Sequence, residues 1–377
     1  MAGIYLHIPF CKRRCIYCDF FSSTEEGLKE KYVDALCKEL ELRKGYLKDE
    51  PVRTIYMGGG TPSQLSLDEL QRLFSHIYKM YQVDVDAEIT LEANPDDLTE
   101  EYVAGLSRSL PINRISMGIQ TFDDERLRFL QRRHTARQAI EAIERCRKYG
   151  FTNLSIDLIY GLPGQDVEAW KCELEQAVAL EVPHLSAYHL TFEEGTRLWL
   201  LKEQGIISEV DEETSVQMYA LLVESLKKAG YQHYEISNFC HPGMESRHNS
   251  SYWKGISYIG CGAAAHSYNG NSRQWNIASI TNYIKGIEDG RPIVEREELD
   301  LYTRYNDYMV TSLRTRWGAS LDVIREHFGD SMLQHCLNEA SRHLNSNLLR
   351  LEGDVLCLTE EGVFLSDGII SDLLWVE

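Results

Sequence analysis

The sequence is poor in positive charge and has no long hydrophobic run. Its 377 residues include 39 Lys and Arg against 58 Asp and Glu, which gives a formal net charge of −19. Because so acidic a chain repels phosphates, no specific binding of nucleic acid is expected. No apolar stretch reaches the roughly 18–20 residues of a membrane-spanning helix, and the N-terminal residues show no charged-then-apolar signal pattern. The sequence therefore predicts a cytoplasmic protein without a membrane span.

Internal repeats and low-complexity tracts are also missing from the sequence. Ten cysteines are present, but in a chain predicted to be cytoplasmic they do not indicate a disulfide framework. Seven of them are scattered along the chain, and we interpret these as buried, inert thiols. The scattered cysteines are Cys37, Cys146, Cys172, Cys240, Cys261, Cys336 and Cys357.

What the sequence does contain is a repeated succession of strand and helix. Six such units precede residue 230, with strands predicted at GIYLHIPF, VRTIYMGG, AEITLEAN, RISMGIQT, NLSIDLIYGLP and HLSAYHLTF. The alternation predicts a parallel sheet covered by helices, with several strands apolar on both faces, as in buried parallel sheets. A doubly wound open sheet and an incomplete β/α barrel both fit this pattern. Polar residues and glycines follow the strand ends, and in β/α barrels that rim carries the active site.

The alternation ends after Gly230, and two further regions follow. The segment YQHYEISNFC is predicted as one more strand, and the glycine- and aromatic-rich stretch after it has no clear helical period. Two helices, a β-hairpin with its turn at 352–354 and a last helix then suggest a winged-helix-like domain. We therefore predict a partial barrel over residues 1–235, an irregular extension over 236–298 that completes the site, and a small C-terminal domain over 299–377.

Three cysteines, Cys11, Cys15 and Cys18, follow the first predicted strand with the spacing C-x₃-C-x₂-C. Structural zinc sites and most iron–sulfur clusters use four ligands, yet the position of a fourth local cysteine is Phe20. A zinc site with a distant fourth ligand, three structural thiols and a [4Fe-4S] cluster with one open iron are the alternatives. We favour the cluster, because an open iron can chelate a small molecule, as in the reductive cleavage of S-adenosylmethionine (SAM).

The segment YLHIPFCKRRCIYCDF resembles the signature of the radical SAM superfamily. In that superfamily three cysteines hold the cluster, and the fourth iron takes the amino and carboxyl groups of SAM. The whole chain is similar to the oxygen-independent coproporphyrinogen III oxidases and, within that group, to the HemW heme chaperones. The resemblance implies an α/β fold with an incomplete (β/α)₆ barrel, and the delivery of heme to acceptor proteins. It also leaves room for a transient contact with a membrane protein.

The resemblance further implies a set of SAM-binding residues whose chemistry suits that role. MGGGTPSQL puts three glycines at a strand end, where backbone N–H groups can approach a ligand, and no P-loop lysine follows them. Asp157 stands within an apolar strand, which is costly unless the carboxylate is paired. The glycines could instead serve only to form a tight turn, and Arg132 could instead be a solvated surface side chain. The implied SAM-binding residues are Tyr5, Gly59, Gly60, Thr61, Glu92, Gln120, Arg132, Asp157 and Ala264.

Two further positions bear on the function. RHNSSYW resembles the HNxxYW motif of the HemW branch, which implies that His248 is an axial ligand of heme. A histidine hydrogen-bonded inside an irregular loop is the structural alternative. Phe20 stands where the oxidases carry an additional cysteine. The heme chaperone is therefore the favoured function, and the conversion of coproporphyrinogen III to protoporphyrinogen IX is the alternative.

Overall fold

An alternation of strands and helices fills the first part of the computed structural model, which describes residues 1–292 and 294–376. Each of the first six strands is followed by at least one helix. The elements are β1 (Ala2–Ile8), α1 (Lys29–Leu42), β2 (Val52–Gly59), α2 (Leu67–Met80), β3 (Val83–Ala93), α3 (Glu100–Ser109), β4 (Arg114–Gln120), α4 (Asp124–Phe129), α5 (Ala136–Lys148), β5 (Asn153–Tyr160), α6 (Val167–Ala179), β6 (His184–His189), α7 (Arg197–Glu203) and α8 (Glu212–Lys228).

These six strands are parallel and neighbour one another in chain order, β1-β2-β3-β4-β5-β6. A doubly wound sheet reverses its strand order at a switch point, so the sequential order selects the barrel of the two predicted architectures. The outer edges of β1 and β6 pair with later strands instead of with each other. The barrel is therefore incomplete, as the sequence predicted.

The extension after the barrel is more regular than expected. Its elements are β7 (Gln232–Glu235), β8 (Asn238–Cys240), α9 (Arg247–Trp253), β9 (Tyr258–Cys261), β10 (His266–Tyr268), β11 (Ser272–Asn276), α10 (Ile280–Glu288) and β12 (Val294–Glu298). They complete a 12-stranded sheet, in the order β12-β11-β10-β9-β1-β2-β3-β4-β5-β6-β8-β7.

Two expectations about this extension were wrong. YQHYEISNFC forms two antiparallel strands, β7 and β8, rather than one. RHNSSYW forms the helix α9, although its sequence has no helical period. The side chain of Ser246 caps this helix by accepting the N–H of Asn249, and the Glu88 carboxylate accepts the N–H groups of Arg247 and His248. Tertiary partners, which a local pattern does not reveal, stabilise the helix.

Inward and outward side chains alternate along the barrel strands, which corrects the expectation that several strands are apolar on both faces. On β4, Ser116 and Gly118 face a cavity inside the barrel, whereas Ile115 and Met117 lie in the hydrophobic core. Successive side chains of a strand point to opposite faces. The barrel interior is therefore polar, and the apolar core lies between the sheet and its helices.

The C-terminal residues build a second hydrophobic core, which includes Tyr305, Met309, Cys336 and Leu356. A three-stranded sheet in the order β13-β15-β14 packs with four helices, which gives the expected combination of helices and a hairpin. Among the residues described, no helix has the length and apolarity to cross a membrane. The elements are α11 (Leu301–Leu313), β13 (Ala319–Ser320), α12 (Leu321–Phe328), α13 (Asp330–Asn345), β14 (Leu349–Glu352), β15 (Val355–Leu358) and α14 (Ser366–Leu373).

Candidate functional site

A cavity of about 580 Å³ lies at the carboxyl ends of the parallel strands. Its walls come from the loops that follow these strands and from inward-facing residues at the strand ends. Ten of the residues predicted to hold the cluster or SAM line it. They are Cys11, Cys15, Cys18, Gly59, Gly60, Thr61, Glu92, Gln120, Arg132 and Asp157.

The three cysteines stand on the loop after β1, and backbone hydrogen bonds close this loop. The N–H of Cys11 donates to the carbonyl of Ser23 at 2.9 Å, and the N–H of Ser23 donates to the carbonyl of Pro9 at 2.6 Å. Ile16, in the middle of the loop, is buried in a small apolar cluster. Burying Ile16 fixes the loop against the barrel while the cysteines line the cavity. The other buried members of the cluster are Leu130, Ile159, Leu162, Leu190 and Leu198.

All three cysteines are free thiols that share one cavity wall. Burial raises the pKa of Cys11 and raises the pKa of Cys18 to about 11, so metal binding must displace protons from these thiols. Within residues 1–292 and 294–376, no three His, Cys, Asp or Glu side chains meet closely enough to hold one metal ion. A cluster of several irons is held by thiolates around its periphery, and three thiols that line one cavity suit such a group.

Two glycines at the end of β2, Gly59 and Gly60, allow the cavity wall to approach the end of β1. Gly59 has a φ of +106°, and a Cβ atom on it would lie 2.5 Å from the ring of His7. A Cβ atom on Gly60 would lie 2.8 Å from the backbone carbonyl oxygen of Ile8. The close approach places Thr61 beside the cysteine loop, where its Oγ1 lies 3.2 Å from Cys11 Sγ. The structure thus requires glycine at both positions.

Two carboxylates, Glu92 and Asp157, face the cavity although they are remote from bulk solvent. Tyr56 Oη donates a hydrogen bond of 2.6 Å to Glu92. Burial raises the pKa of Glu92 to about 7 and that of Asp157 to about 6, while the buried guanidinium of Arg114 lowers both. Perturbed carboxylates in a cavity mark a candidate binding site, and these two favour a cationic ligand.

Arg132 is held inside the cavity wall and is not the solvated side chain of the structural alternative. Its Nη2 donates to Asn94 Oδ1 at 2.5 Å and to the Gly118 carbonyl at 2.6 Å, and its Nη1 donates to Cys15 Sγ at 3.5 Å. Its Nε has no hydrogen-bond partner in the described structure. Gln120, with a φ of +73°, follows a break in the pairing between β4 and β5. This bulge redirects the chain where Gln120 meets the cavity.

Tyr5 and Ala264 are not among the residues that line the cavity. Tyr5 Oη lies 3.0 Å from His7 Nδ1, and the Tyr5 ring stacks on Tyr56, which holds Glu92. Ala264 adopts a φ of +61° in the turn after β9. Tyr5 therefore supports Glu92 through Tyr56, and direct contact of Tyr5 or Ala264 with SAM stays a prediction.

His248 lies in the barrel interior, away from the cavity, and its side chain is only 1% exposed. Its Nδ1 is 2.8 Å from Thr54 Oγ1, and its Nε2 is 2.8 Å from Tyr252 Oη. The ring also stacks on Tyr56 at a centroid distance of 5.1 Å. Both ring nitrogens are therefore engaged within the protein. The geometry does not support the expectation that His248 ligates heme, and it matches the alternative of an internally hydrogen-bonded histidine.

Sequence reasoning missed Glu39, a fully buried carboxylate on α1. It accepts hydrogen bonds from Arg43 at 2.9 Å, the Gly262 N–H at 2.8 Å, Asn276 at 2.8 Å and Tyr283 at 2.7 Å. These bonds fix the turn after β9, which contains Ala264. A glutamate in an amphipathic helix looks like a surface residue, and nothing local in the sequence reveals partners more than 200 residues away.

The fold and the cavity define a protein of the radical SAM class. Residues 5–173 match the family model described as the radical SAM superfamily, and residues 299–365 match the one described as the HemN C-terminal domain. A solved structure of coproporphyrinogen III oxidase HemN from Escherichia coli is similar, with a TM-score of 0.85. The match covers 99% of this chain and 89% of that one. At 23% sequence identity this likeness concerns the fold.

Curated relatives narrow the class to one family. The heme chaperone HemW of Lactococcus lactis is 35% identical, over 98% of this chain and 96% of the relative. The HemW protein of Bacillus subtilis is 33% identical, over 99% of both chains. The chain therefore belongs to the HemW family of the radical SAM superfamily.

Proposed function

We propose that this protein is a heme chaperone that binds a [4Fe-4S] cluster, SAM and heme and passes heme to acceptor proteins in the cytoplasm. The observation that carries the proposal is the similarity, over nearly the full length, to proteins named heme chaperone HemW. A transient contact with a membrane protein during delivery belongs to the same proposal.

The cavity at the strand ends suits the two cofactors. The cluster would be held by Cys11, Cys15 and Cys18. The same cavity is lined by Arg13, Arg14 and Arg132, whose positive charges would compensate the negative charge of the thiolates. When bound, a cluster of this kind supplies the electron for reductive cleavage of SAM. The protein's own part is to orient SAM and to hold it against the cluster.

The polar groups of the cavity match the polar groups of SAM. The Arg132 guanidinium suits a carboxylate, and the carboxylates of Glu92 and Asp157 suit an ammonium group or ribose hydroxyls. Gly59, Gly60 and Thr61 form the adjoining wall, where backbone can approach the ligand closely. Gln120 offers both a donor and an acceptor at the end of β4. We propose these residues, with Tyr5 and Ala264 behind them, as the SAM site.

Phe20 supports the chaperone over the oxidase. It lines the same cavity, and its side chain is 64% exposed at the position where the oxidases carry an additional cysteine. An aromatic side chain cannot supply the thiol that this position provides there. The remaining cysteines of the chain lie elsewhere and do not line the cavity.

The proposal is tested anaerobically with the full chain after reconstitution of its cluster. Hemin is added, and transfer of heme to an apo-heme protein is followed by absorbance. In parallel, the protein receives reductant, SAM and coproporphyrinogen III. We expect iron and sulfide in the protein, heme transfer, and no protoporphyrinogen IX. Robust formation of protoporphyrinogen IX would establish the oxidase instead, and zinc without iron would refute the cluster.

A further inference from the structure

A second cavity, of about 590 Å³, lies between the barrel and the C-terminal domain. Helix α8 and strand β7 form one side of this interdomain cleft, and residues 313–316 and 358–364 contribute to the other. Its size falls within the range of small-molecule and cofactor sites, roughly 300–1,000 Å³. The cavity at the strand ends is assigned to the cluster and SAM, and this cleft offers a further space of sufficient size for a ligand.

The walls of the cleft are largely apolar and aromatic. Tyr219 and Phe364, from the two sides of the cleft, meet edge to face at 5.2 Å. Phe239 stacks on the ring of His233 at 4.4 Å, and Val223 and Leu313 also line the space. Walls of this kind bury a flat, apolar ligand by removing its faces from water.

His233 presents the arrangement of a metal-ligating histidine. Its Nε2 lies 3.0 Å from the backbone carbonyl of Ile236, so Nε2 carries the ring proton. Burial lowers the pKa of His233, so the ring is neutral and Nδ1 keeps a free lone pair. The contacts of the ring with the Ile236 carbonyl at 3.0 Å and the Tyr219 hydroxyl at 3.5 Å both use Nε2, while the Glu235 backbone also acts on the ring. Histidines that ligate metals characteristically donate their other N–H to a carbonyl or carboxylate, which fixes the tautomer.

Three arginines of the C-terminal side, Arg314, Arg316 and Arg350, line the same cleft. Each already meets a carboxylate: Arg314 lies 3.8 Å from Glu235, Arg316 lies 2.6 Å from Glu245, and Arg350 donates to Glu352 at 2.7 Å. A guanidinium has five N–H donors, so these contacts leave donors for the carboxylates of a ligand.

We propose that heme binds in the interdomain cleft, with Nδ1 of His233 on the iron and the propionates near Arg314, Arg316 and Arg350. Heme is flat and apolar, carries two carboxylates, and takes a neutral imidazole as axial ligand, and the cleft offers a partner for each of these features. The inference rests on the proposed function, since it names the site of the heme that a chaperone must carry.

The proposed heme site also explains how helix α9, formed by RHNSSYW, can affect heme binding although His248 is not an iron ligand. The Arg314 guanidinium lies 6.0 Å from the centre of the Trp253 ring, which ends α9. Changes in that helix therefore reach the cleft through Arg314. Under the proposal, substitutions in α9 affect heme binding indirectly, whereas substitution of His233 removes an iron ligand.

Hemin titration of the full-length protein, followed by its absorption spectrum, tests the cleft. We expect His233→Ala to weaken heme binding by at least about tenfold and to change the axial-ligand spectrum. Tenfold is the lower end of the losses in metal affinity when a residue that only orients a metal ligand is replaced. Arg350→Gln is expected to weaken binding without that spectral change. His327→Ala, at an exposed histidine of α12 that lines neither cavity, is the matched control with unchanged binding.

A second variant keeps the test independent of folding. Ala220 lines the cleft from the exposed side of α8, so Ala220→Trp fills the space without disturbing the core and is expected to abolish heme binding while SAM binding persists. Wild-type affinity and spectrum in both His233→Ala and Ala220→Trp would overturn the cleft site and leave the chaperone proposal standing. Failure of the wild type to bind hemin would instead refute the proposed function.

Discussion

Two glutamates on β3, Glu88 and Glu92, lie on the same face of the sheet but serve opposite ends of the barrel. The Glu88 carboxylate accepts the backbone N–H groups of Arg247 at 3.0 Å and His248 at 2.9 Å. These bonds hold helix α9 against the lower end of the barrel, where the parallel strands begin; the upper end is the rim where they end. Glu92 accepts the hydroxyl of Tyr56 at 2.6 Å and faces the cavity. Burial raises the pKa of Glu92 to about 7.

The comparison separates carboxylates that stabilise the fold from carboxylates that bind a ligand. Glu88 compensates the N-terminus of α9, where a negative charge is favourable. Glu92 accepts a hydrogen bond from the Tyr56 hydroxyl and is also stabilised by the Gly59 backbone and by Arg114, yet burial still raises its pKa, so a cationic ligand would compensate its charge further. The two histidines discussed above differ in a similar way. Both ring nitrogens of His248 contact hydroxyl groups, whereas the contacts of His233 with Ile236 and Tyr219 both use Nε2.

The largest effect is expected at the upper end of the barrel, from replacing the cysteines. Cys11→Ser, Cys15→Ser or Cys18→Ser should each abolish stable incorporation of the cluster, because three thiolates are the least that can hold it with one iron open. Iron and sulfide analysis after anaerobic reconstitution measures this loss.

Cys172→Ser is the matched control. Cys172 is exposed, so the expectation of burial was wrong for this one of the seven scattered cysteines, and it lies outside the cavity. It should retain the iron content of the wild type. Full iron and sulfide in any of the three loop variants would remove that cysteine from the site.

The next effect concerns the lower end. His248→Ala removes a buried ring and two hydrogen bonds, and we expect a loss of about 2–4 kcal/mol in the free energy of unfolding, as for other buried networks. Denaturant unfolding measures this change. In the fraction that stays folded, the axial-ligand spectrum of bound heme should match that of the wild type. Loss of the histidine-ligand spectrum without loss of stability would restore His248 as the heme ligand.

The upper site was largely predictable from the sequence, whereas the lower end was not. Cys11 and Gly60 follow strand ends and Glu92 lies near the carboxyl end of β3. In a parallel barrel all these strand ends meet at one rim, so local position sufficed. His248 contacts Thr54, which is 194 residues away, and Glu39 binds partners at a similar distance. No local pattern encodes such contacts, and the same holds for the helix formed by RHNSSYW.

A smaller effect is a dependence of SAM binding on pH. Glu92 has a pKa of about 7 without ligand, and binding of a cationic group favours its ionised form. Affinity should therefore be nearly full at about pH 8, fall to about half near pH 7, and drop by about tenfold between pH 8 and pH 6 for one group. Titrations of reconstituted protein across this range measure the slope. A profile that is flat in the wild type, or equally steep in Glu92→Gln, would assign the titration elsewhere.

SAM binding to Glu92→Gln and Glu88→Gln, compared by calorimetry in reconstituted protein, tests the contrast between the two ends most directly. We expect Glu92→Gln to weaken SAM binding by roughly 10- to 100-fold, the value of a hydrogen bond to a charged group, with little loss of stability. Glu88→Gln should leave SAM affinity within about twofold and lower the free energy of unfolding by about 1–2 kcal/mol, as for a lost helix cap. Unchanged SAM affinity in Glu92→Gln, or an equal loss in both variants, would contradict the assignment.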